Sequence, residues 1–464
     1  MTVSTTQGQR VQGRLPKTFF VAVGMSFLML QLVFLANMVY FYATLFRSSS
    51  RVHALNVLYV DFDGDVIGQS VLDAYDSLQG KSFPTLQQSS IDNYRTPDDV
   101  QSAVCSGDYW GAVFASDGAS SRLASALAGD PQDSNQPALT YIWNGVRYPA
   151  FSQGNMYSSL ITLVQVARST YYARNASNAL QAMAPSNPAS LQALLNPIIT
   201  AEINLQPTIQ GPRVLYNTVT LVMPILQQFF YLIALNMISA EFHALPKLGG
   251  VLANTLLRLG VSLVYTAICS LCTTGYIWAF RESWAVGGTQ FALSWLAIWF
   301  YGHINFLLID VLTAYLHMKW MPYCIVSWVI LNVSSTVAPL ELSPGFFRWT
   351  YALPAHEVYQ VLVQIWSHGC QNRSYRTLPI LFSWWIVGLV MLGFAVRHRC
   401  KIAIAMEKHE DTVEKKDQRA SPSIRLKGES GISSTQGSGL LHKTTETLDG
   451  AERGRDETES IRTK

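Results

Sequence analysis

The feature that most limits this chain is a crowd of long apolar runs in its second half. Residues 214–237, 251–280, 289–316, 321–338 and 378–396 are each rich in Leu, Val, Ile, Phe and Trp. A helix rising 1.5 Å per residue needs about 20 such residues to cross a hydrocarbon core. Polar and helix-breaking residues collect between the runs: Glu241, Pro246 and Lys247; Arg281 and Glu282; His317 and Lys319; Pro344, Pro354 and Arg373. In lipid every backbone N–H and C=O must be satisfied within the segment, so the runs are expected to be helices. A sixth run, 18–46, lies far upstream. It is too long for a signal-peptide core and no small-residue cleavage site closes it, so it reads as an uncleaved anchor.

Charged residues make up only 14% of the chain and apolar residues 49%, whereas a soluble protein carries nearer a quarter charged. The net charge of +3 is too slight for a nucleic-acid binder. The expected fold class is therefore an α-helical polytopic membrane protein with six transmembrane helices, one plus five. An α/β extracytoplasmic domain, 47–213, is inserted between the first helix, 18–46, and the five-helix block, 214–398. Arg10, Arg14 and Lys17 make 1–17 a cytosolic segment, although Arg47 and Arg51 also flank the first run on its other side. Arg397, Arg399 and Lys401 follow the last run and favour a cytosolic C-terminus.

Within the inserted domain, 56–62 reads as a buried strand ending in a turn at Asp63, Gly64 and Asp65, and 66–78 has helical spacing. Strands are expected at 110–115, 138–143 and 199–205, helices at 120–128 and 155–184, and a Pro/Asn-rich loop at 185–197. The tail, 399–464, ends in a long polar stretch without aromatic residues or apolar periodicity, and disorder is expected there. It is a candidate for phosphorylation or trafficking control, or simply a solvated tail.

Two sequons, Asn175-Ala-Ser and Asn372-Arg-Ser, fall outside the cytosol by helix parity and are candidate glycosylation sites. A third, at Asn332, lies within a predicted span. Cys105 and Cys370 are the only cysteines expected on that outer side. In an oxidising compartment they form a candidate disulfide tying the domain to the membrane block, a pairing the sequence leaves open. Cys269, Cys272, Cys324 and Cys400 read as free buried thiols.

Chemistry-bearing motifs are scarce. Gly80-Lys-Ser lacks the upstream glycine of a phosphate loop, since Tyr75 stands there. Asp61, Asp63 and Asp65 suit a strand-ending turn better than a calcium loop, whose glycine would fall at Val66 and whose glutamate at Leu72. No nucleophile elbow, HExxH pair or spaced Cys/His cluster is present. Neither an enzyme nor a cofactor is expected. In the membrane block His303, Asp310 and His317 recur every seven residues, a candidate transport or proton stripe, or alternatively helix–helix polar contacts. The outer loop 339–379 carries Phe346, Phe347, Arg348 and Trp349 and then an amphipathic 355–366, suited to the membrane interface or to the mouth of a transporter.

This layout resembles that of ABC-2-type permeases and of the bacterial Pip and YhgE-like membrane proteins. At closer range the chain resembles the fungal nitrosoguanidine-resistance protein family. The segments 57–64 (VLYVDFDG), 108–114 (DYWGAVF), 141–144 (YIWN) and 349–354 (WTYALP) carry that resemblance. It implies a plasma-membrane protein linked to tolerance of toxic compounds, by export or by altered lipid distribution, and it brings no catalytic residues. The chain holds no ATPase of its own. Candidate partners are membrane lipids, a toxicant, a separate ATPase or cytosolic regulator, and a second copy of the chain. The rival expectation is a non-transporting scaffold whose outer domain binds a ligand or partner.

Overall fold

Apolar on every side and largely exposed, helix α1 (Lys17–Thr44) is a span facing lipid rather than a core helix. Among the described residues its side-chain hydrogen bond to a distant helix runs from Asn37 Nδ2 to Ser327 Oγ, at 2.9 Å. The computed structural model describes residues 17–130 and 136–420; residues 1–16 and 421–464, parts of the predicted cytosolic segment and tail, lie outside them.

Between α1 and the remaining spans the chain forms β1 (Asn56–Asp61), α2 (Val66–Leu78), β2 (Thr85–Ser89), α3 (Pro97–Ser106) and β3 (Gly111–Ala115). It continues through α4 (Ala119–Leu127), β4 (Leu139–Trp143), α5 (Ser158–Ala182), α6 (Pro188–Leu195) and β5 (Thr200–Asn204). The sheet order is β2-β1-β3-β4-β5, parallel except where β4 runs antiparallel to β3. Central strands buried on both faces read as unbroken apolar runs. Val57 and Tyr59 accordingly enter one core, and Leu58 and Val60 the other, against Val100, Val104 and Phe114. Gly68 is required where α2 crosses β1, because a Cβ there would stand 2.1 Å from the Asp61 carboxylate.

Three elements depart from the expectation. The polar sequence of β2 (TLQQS) gives no alternating apolar signal. The short helix α3 is set by a capping box between Thr96 and Asp99 with Pro97 in its first turn. The expected 185–197 loop contains α6, started by Asn187 Oδ1 accepting from Ala189 N, with Pro188 at its first position.

The membrane part comprises α7 (Val219–Glu241), α8 (Val251–Ala279), α9 (Gly288–Tyr315), α10 (Met321–Ser334), α11 (Pro354–Trp366) and α12 (Ser374–Ala420). Among the described residues five helices are long and apolar enough to cross a membrane: α1, α7, α8, α9 and the Ser374–Met406 part of α12. The predicted sixth span, 321–338, is shorter than expected. α10 has 14 residues, about 21 Å against a core of about 30 Å. Ser334, Ser335 and Thr336 end it by donating their hydroxyls to Leu331, Asn332 and Val333 carbonyls. The amphipathic 355–366 is not an interfacial helix either, since α11 is buried on nearly every face. Disorder from residue 399 is also overturned, because α12 stays helical to Ala420; Ile402, Ile404 and Met406 extend the apolar run into a stretch rich in Glu and Lys, which are strong helix formers.

Candidate functional site

The predicted stripe of His303, Asp310 and His317 does not form as a line. Helix α9 ends at Tyr315, so His317 lies past it on exposed, extended backbone. His303 is committed at both ring nitrogens: Nδ1 accepts from Trp385 Nε1 at 2.9 Å, and Nε2 donates to Ser262 Oγ at 3.0 Å. Asp310, fully buried, is gripped by two guanidinium groups that the sequence reading did not assign to it. Arg258 reaches Oδ2 through Nε at 3.1 Å and Oδ1 through Nη2 at 2.8 Å. Arg399 Nη2 lies 2.8 Å from Oδ1 and also donates to the Asp310 carbonyl and Thr313 Oγ1. Asn236 of α7 joins through Arg258 Nη2 and Thr313. Four helices are thus tied at one point. Arg399, read above as a flanking positive charge, is a clamp residue; the readable signal for Arg258 was a lone arginine inside an apolar run.

At the other end of the block the sheet domain rests on α11. Tyr359 Oη accepts from Tyr148 N at 2.9 Å and donates to the Val146 carbonyl at 3.3 Å. Gln371 Nε2 donates to Gln360 Oε1 at 2.7 Å, Gln371 N to the Cys105 carbonyl, and Arg373 Nη2 to the Gly107 carbonyl at 3.2 Å. Cys105 and Cys370 are joined by a disulfide, with 4.5 Å between their Cα atoms. The Arg147 guanidinium stacks 3.4 Å over the Trp110 ring and is buried, which pushes its pKa down to about 10. Beside these lies Glu357, also fully buried. Arg376 Nη2 is 3.3 Å from its Oε1, but neither carboxylate oxygen receives a well-aligned hydrogen bond among the described residues. Burial raises the Glu357 pKa from its usual 4.5 to about 7, and lowers His356 to about 4.

Adjoining this junction is a cleft of about 560 Å³ between α9, α11 and α12, within the usual range of small-molecule sites. Its walls are apolar, including Leu293, Leu296 and Phe300 of α9, Val361 and Ile365 of α11, and Leu381 of α12. Leu293 and Leu296 are 45% and 46% exposed, so the cleft opens on the flank of the helix block. Its polar members stand at the sheet-side end alone: Gln290 in the first turn of α9, Gln364, His368 just past α11, and Ser374 at the start of α12. They largely satisfy one another. Gln290 Nε2 donates to His368 Nδ1 at 2.9 Å, His368 Nε2 to the Ala285 carbonyl at 3.2 Å, and Ser374 Oγ to Gln364 Oε1 at 2.9 Å.

The remaining candidates are quickly placed. Asp61 accepts from Asp63 N and Gly64 N, and Asp63 from Ser120 N at 2.7 Å, so the aspartates build a turn. Asn175 lies half-buried within α5, whereas Asn372 is exposed between α11 and α12, its Oδ1 accepting from Ser374 N.

No solved structure matches the chain closely enough to report. The uncharacterized endoplasmic reticulum membrane protein YJR015W of Saccharomyces cerevisiae is 26% identical over 133 residues, 27% of this chain and 26% of its own length. The match therefore spans about a quarter of that relative. Residues 26–390, well over half of the chain and reaching from α1 into α12, match a family described as protein of unknown function DUF3533, and the chain belongs to that family.

Proposed function

We propose that this is a permease-like membrane protein that confers resistance to toxic small molecules, by exporting them or by changing the distribution of membrane lipids. The observation that carries the reading is the laterally open cleft. An aqueous channel would be lined by polar groups along its length, whereas these walls are apolar and open towards the bilayer. Such a site takes an amphiphile from the lipid rather than from water. Helix α11 forms one wall and also bears the sheet domain, so opening of the cleft would move the junction with it.

In this reading the sheet domain is extracytoplasmic, α10 completes a sixth crossing with the turns that flank it, and both termini are cytosolic. Residence is at the plasma membrane, the family resemblance weighing more than the endoplasmic reticulum named for the partial yeast relative. The chain performs no chemistry of its own, and its driving force comes from a separate ATPase, a gradient, or the lipid asymmetry itself. The test is uptake and efflux of labelled toxicants and fluorescent lipids in cells with and without the protein. Faster efflux or altered lipid exposure with the protein is expected; identical traces in both cells overturn the reading.

A scaffold is the second reading, favoured by a cavity of about 90 Å³ between α4 and α6 of the sheet domain. Removing residues 421–464 while keeping every span separates the two. A permease keeps its efflux, and a scaffold that recruits through its tail loses its effect.

A further inference from the structure

We infer that the cleft between α9, α11 and α12 holds one acyl chain of a glycerolipid from the sheet-side leaflet, with the ester carbonyl hydrogen-bonded to Gln364 Nε2. The inference deepens the cleft reading above by naming what occupies it.

Depth comes first. Gln290 and Phe300 are ten residues apart on α9, so the cleft runs about 15 Å along that helix, half of a hydrocarbon core of about 30 Å. That is the reach of a single leaflet. Its floor is closed by Phe300, whose ring sits 5.0 Å from Phe382 and 6.0 Å from Trp385.

Polarity fixes which end of a lipid lies where. The hydrogen-bonding groups stand only at the helix ends, and the walls below them are Leu, Val, Ile and Phe. Among the described residues no Lys or Arg lines the cleft, so it offers a phosphate no lysine or arginine counterion, and the headgroup stays outside. At the rim Gln290 and His368 are committed to each other and to backbone groups. Gln364 uses its Oε1 to accept from Ser374, while its Nε2 donates to no partner among the described residues. A free amide donor above an apolar slot matches a carbonyl oxygen at the head of a hydrocarbon chain, which is an acyl ester.

The test uses the full-length protein in nanodiscs containing phosphatidylcholine with a photoactivatable diazirine midway along one acyl chain. Illumination followed by peptide mass spectrometry reads where the chain lies. Helix α1, unburied along its apolar window, reports contact with bulk lipid in the same molecule. Labelling of 290–300 and 358–381 well above that of α1 is expected. Ala297→Trp, which fills the slot, should bring it down to the α1 level. Gln364→Leu should lower labelling about fivefold for the ester-linked chain, the factor that a net hydrogen bond of about 1 kcal/mol makes, and leave an ether-linked chain unaffected.

Cleft labelling no higher than that of α1 overturns the inference, as does equal labelling by ester and ether lipids in the unaltered protein, which needs no variant to fold. Displacement of the acyl probe by a sterol or by a toxicant in preference to a glycerolipid overturns it too. Labelling reads occupancy and efflux reads function, so an unlabelled cleft in a protein that still exports removes this inference alone.

Discussion

Two buried clusters of carboxylate and arginine sit at opposite ends of the membrane block, and they are built differently. Around Asp310 both carboxylate oxygens are taken by guanidinium N–H groups at 2.8–3.1 Å, and four helices converge on the pair. Around Glu357 the one close guanidinium is misaligned, both oxygens lack good hydrogen bonds, and the His356 Nε2 beside them is also unpartnered among the described residues. A fully satisfied buried network makes a region rigid, and a partly satisfied one leaves it free to change. The far cluster is a fixed clamp; the sheet-side cluster is the place where protonation or movement can act. The cleft borders the second.

The largest effect is expected at the clamp. Asp310→Asn leaves Arg258 and Arg399 without a counterion in a site almost closed to water, and breaking a buried pair from one side costs about 3–5 kcal/mol. The protein should lose thermal stability in detergent and accumulate poorly, as read by fluorescence-detected size exclusion. An Asn variant that melts with the parent would show the clamp to be no more rigid than the junction. Next comes the link between regions. Cys105→Ser opens a disulfide closing a separation of 265 residues, with an expected loss of about 2–4 kcal/mol. The sheet domain should loosen on α11, read as faster protease cutting around residues 367–373, while the clamp helices keep their protection.

The same contrast explains what could be read in advance. Strands β1, β3 and β4 and helix α2 were legible because burial on both faces, or on one helical face, writes itself into apolar periodicity. The apolar runs exposed the spans for the same reason. The ends of α10 and α12 were not legible, since runs of hydropathy do not show that Ser334 to Thr336 turn back on their own backbone or that Arg399 faces inward. Asp310 could be singled out as a charge in a span, but its partners stand 52 and 89 residues away. Glu357 was missed because a glutamate in an amphipathic segment looks solvated. Its burial is tertiary, with Arg376 of α12 3.3 Å from its carboxylate, and nothing within the segment announces it. The cleft, assembled from three helices, has no signature in any one of them.

A smaller effect, set by pH, probes the sheet-side cluster. The Glu357 pKa is raised from 4.5 to about 7, so the folded state holds its proton more tightly than the unfolded chain. Its stabilising contribution is complete below 4.5 and disappears as pH climbs through 7. His356 has the opposite sign: lowered from 6.5 to about 4, it favours folding above 6.5 and loses that contribution as pH falls through 4. Arg376 and Arg373 face both groups. Between 4.5 and 6.5 the two slopes oppose, so the melting temperature of the parent should be nearly level there, fall between 6.5 and about 7, and level off beyond. Glu357→Gln should uncover the histidine slope, with stability rising from pH 4 to 6.5 and no loss near 7. A variant that keeps the parent profile would mean that the carboxyl is as fixed as Asp310.

The smallest effect is expected where the fold is held most lightly. Helix α1 meets the block through α10 and through Tyr40, whose ring sits 5.1 Å from that of Phe347, and among the described residues Asn37 to Ser327 is the side-chain hydrogen bond that joins α1 to α10. Polar contacts between helices in a bilayer average about 0.6 kcal/mol, because the separated helices find other partners. Asn37→Ala should therefore leave the melting temperature almost unchanged. Where it should register is in cross-linking between cysteines placed at the facing positions of α1 and α10, whose yield should fall modestly while clamp and junction stay intact. A large drop in stability would mean that α1 is as firmly built in as Asp310 is, and the grading from rigid clamp to loosely held first span would have to be redrawn.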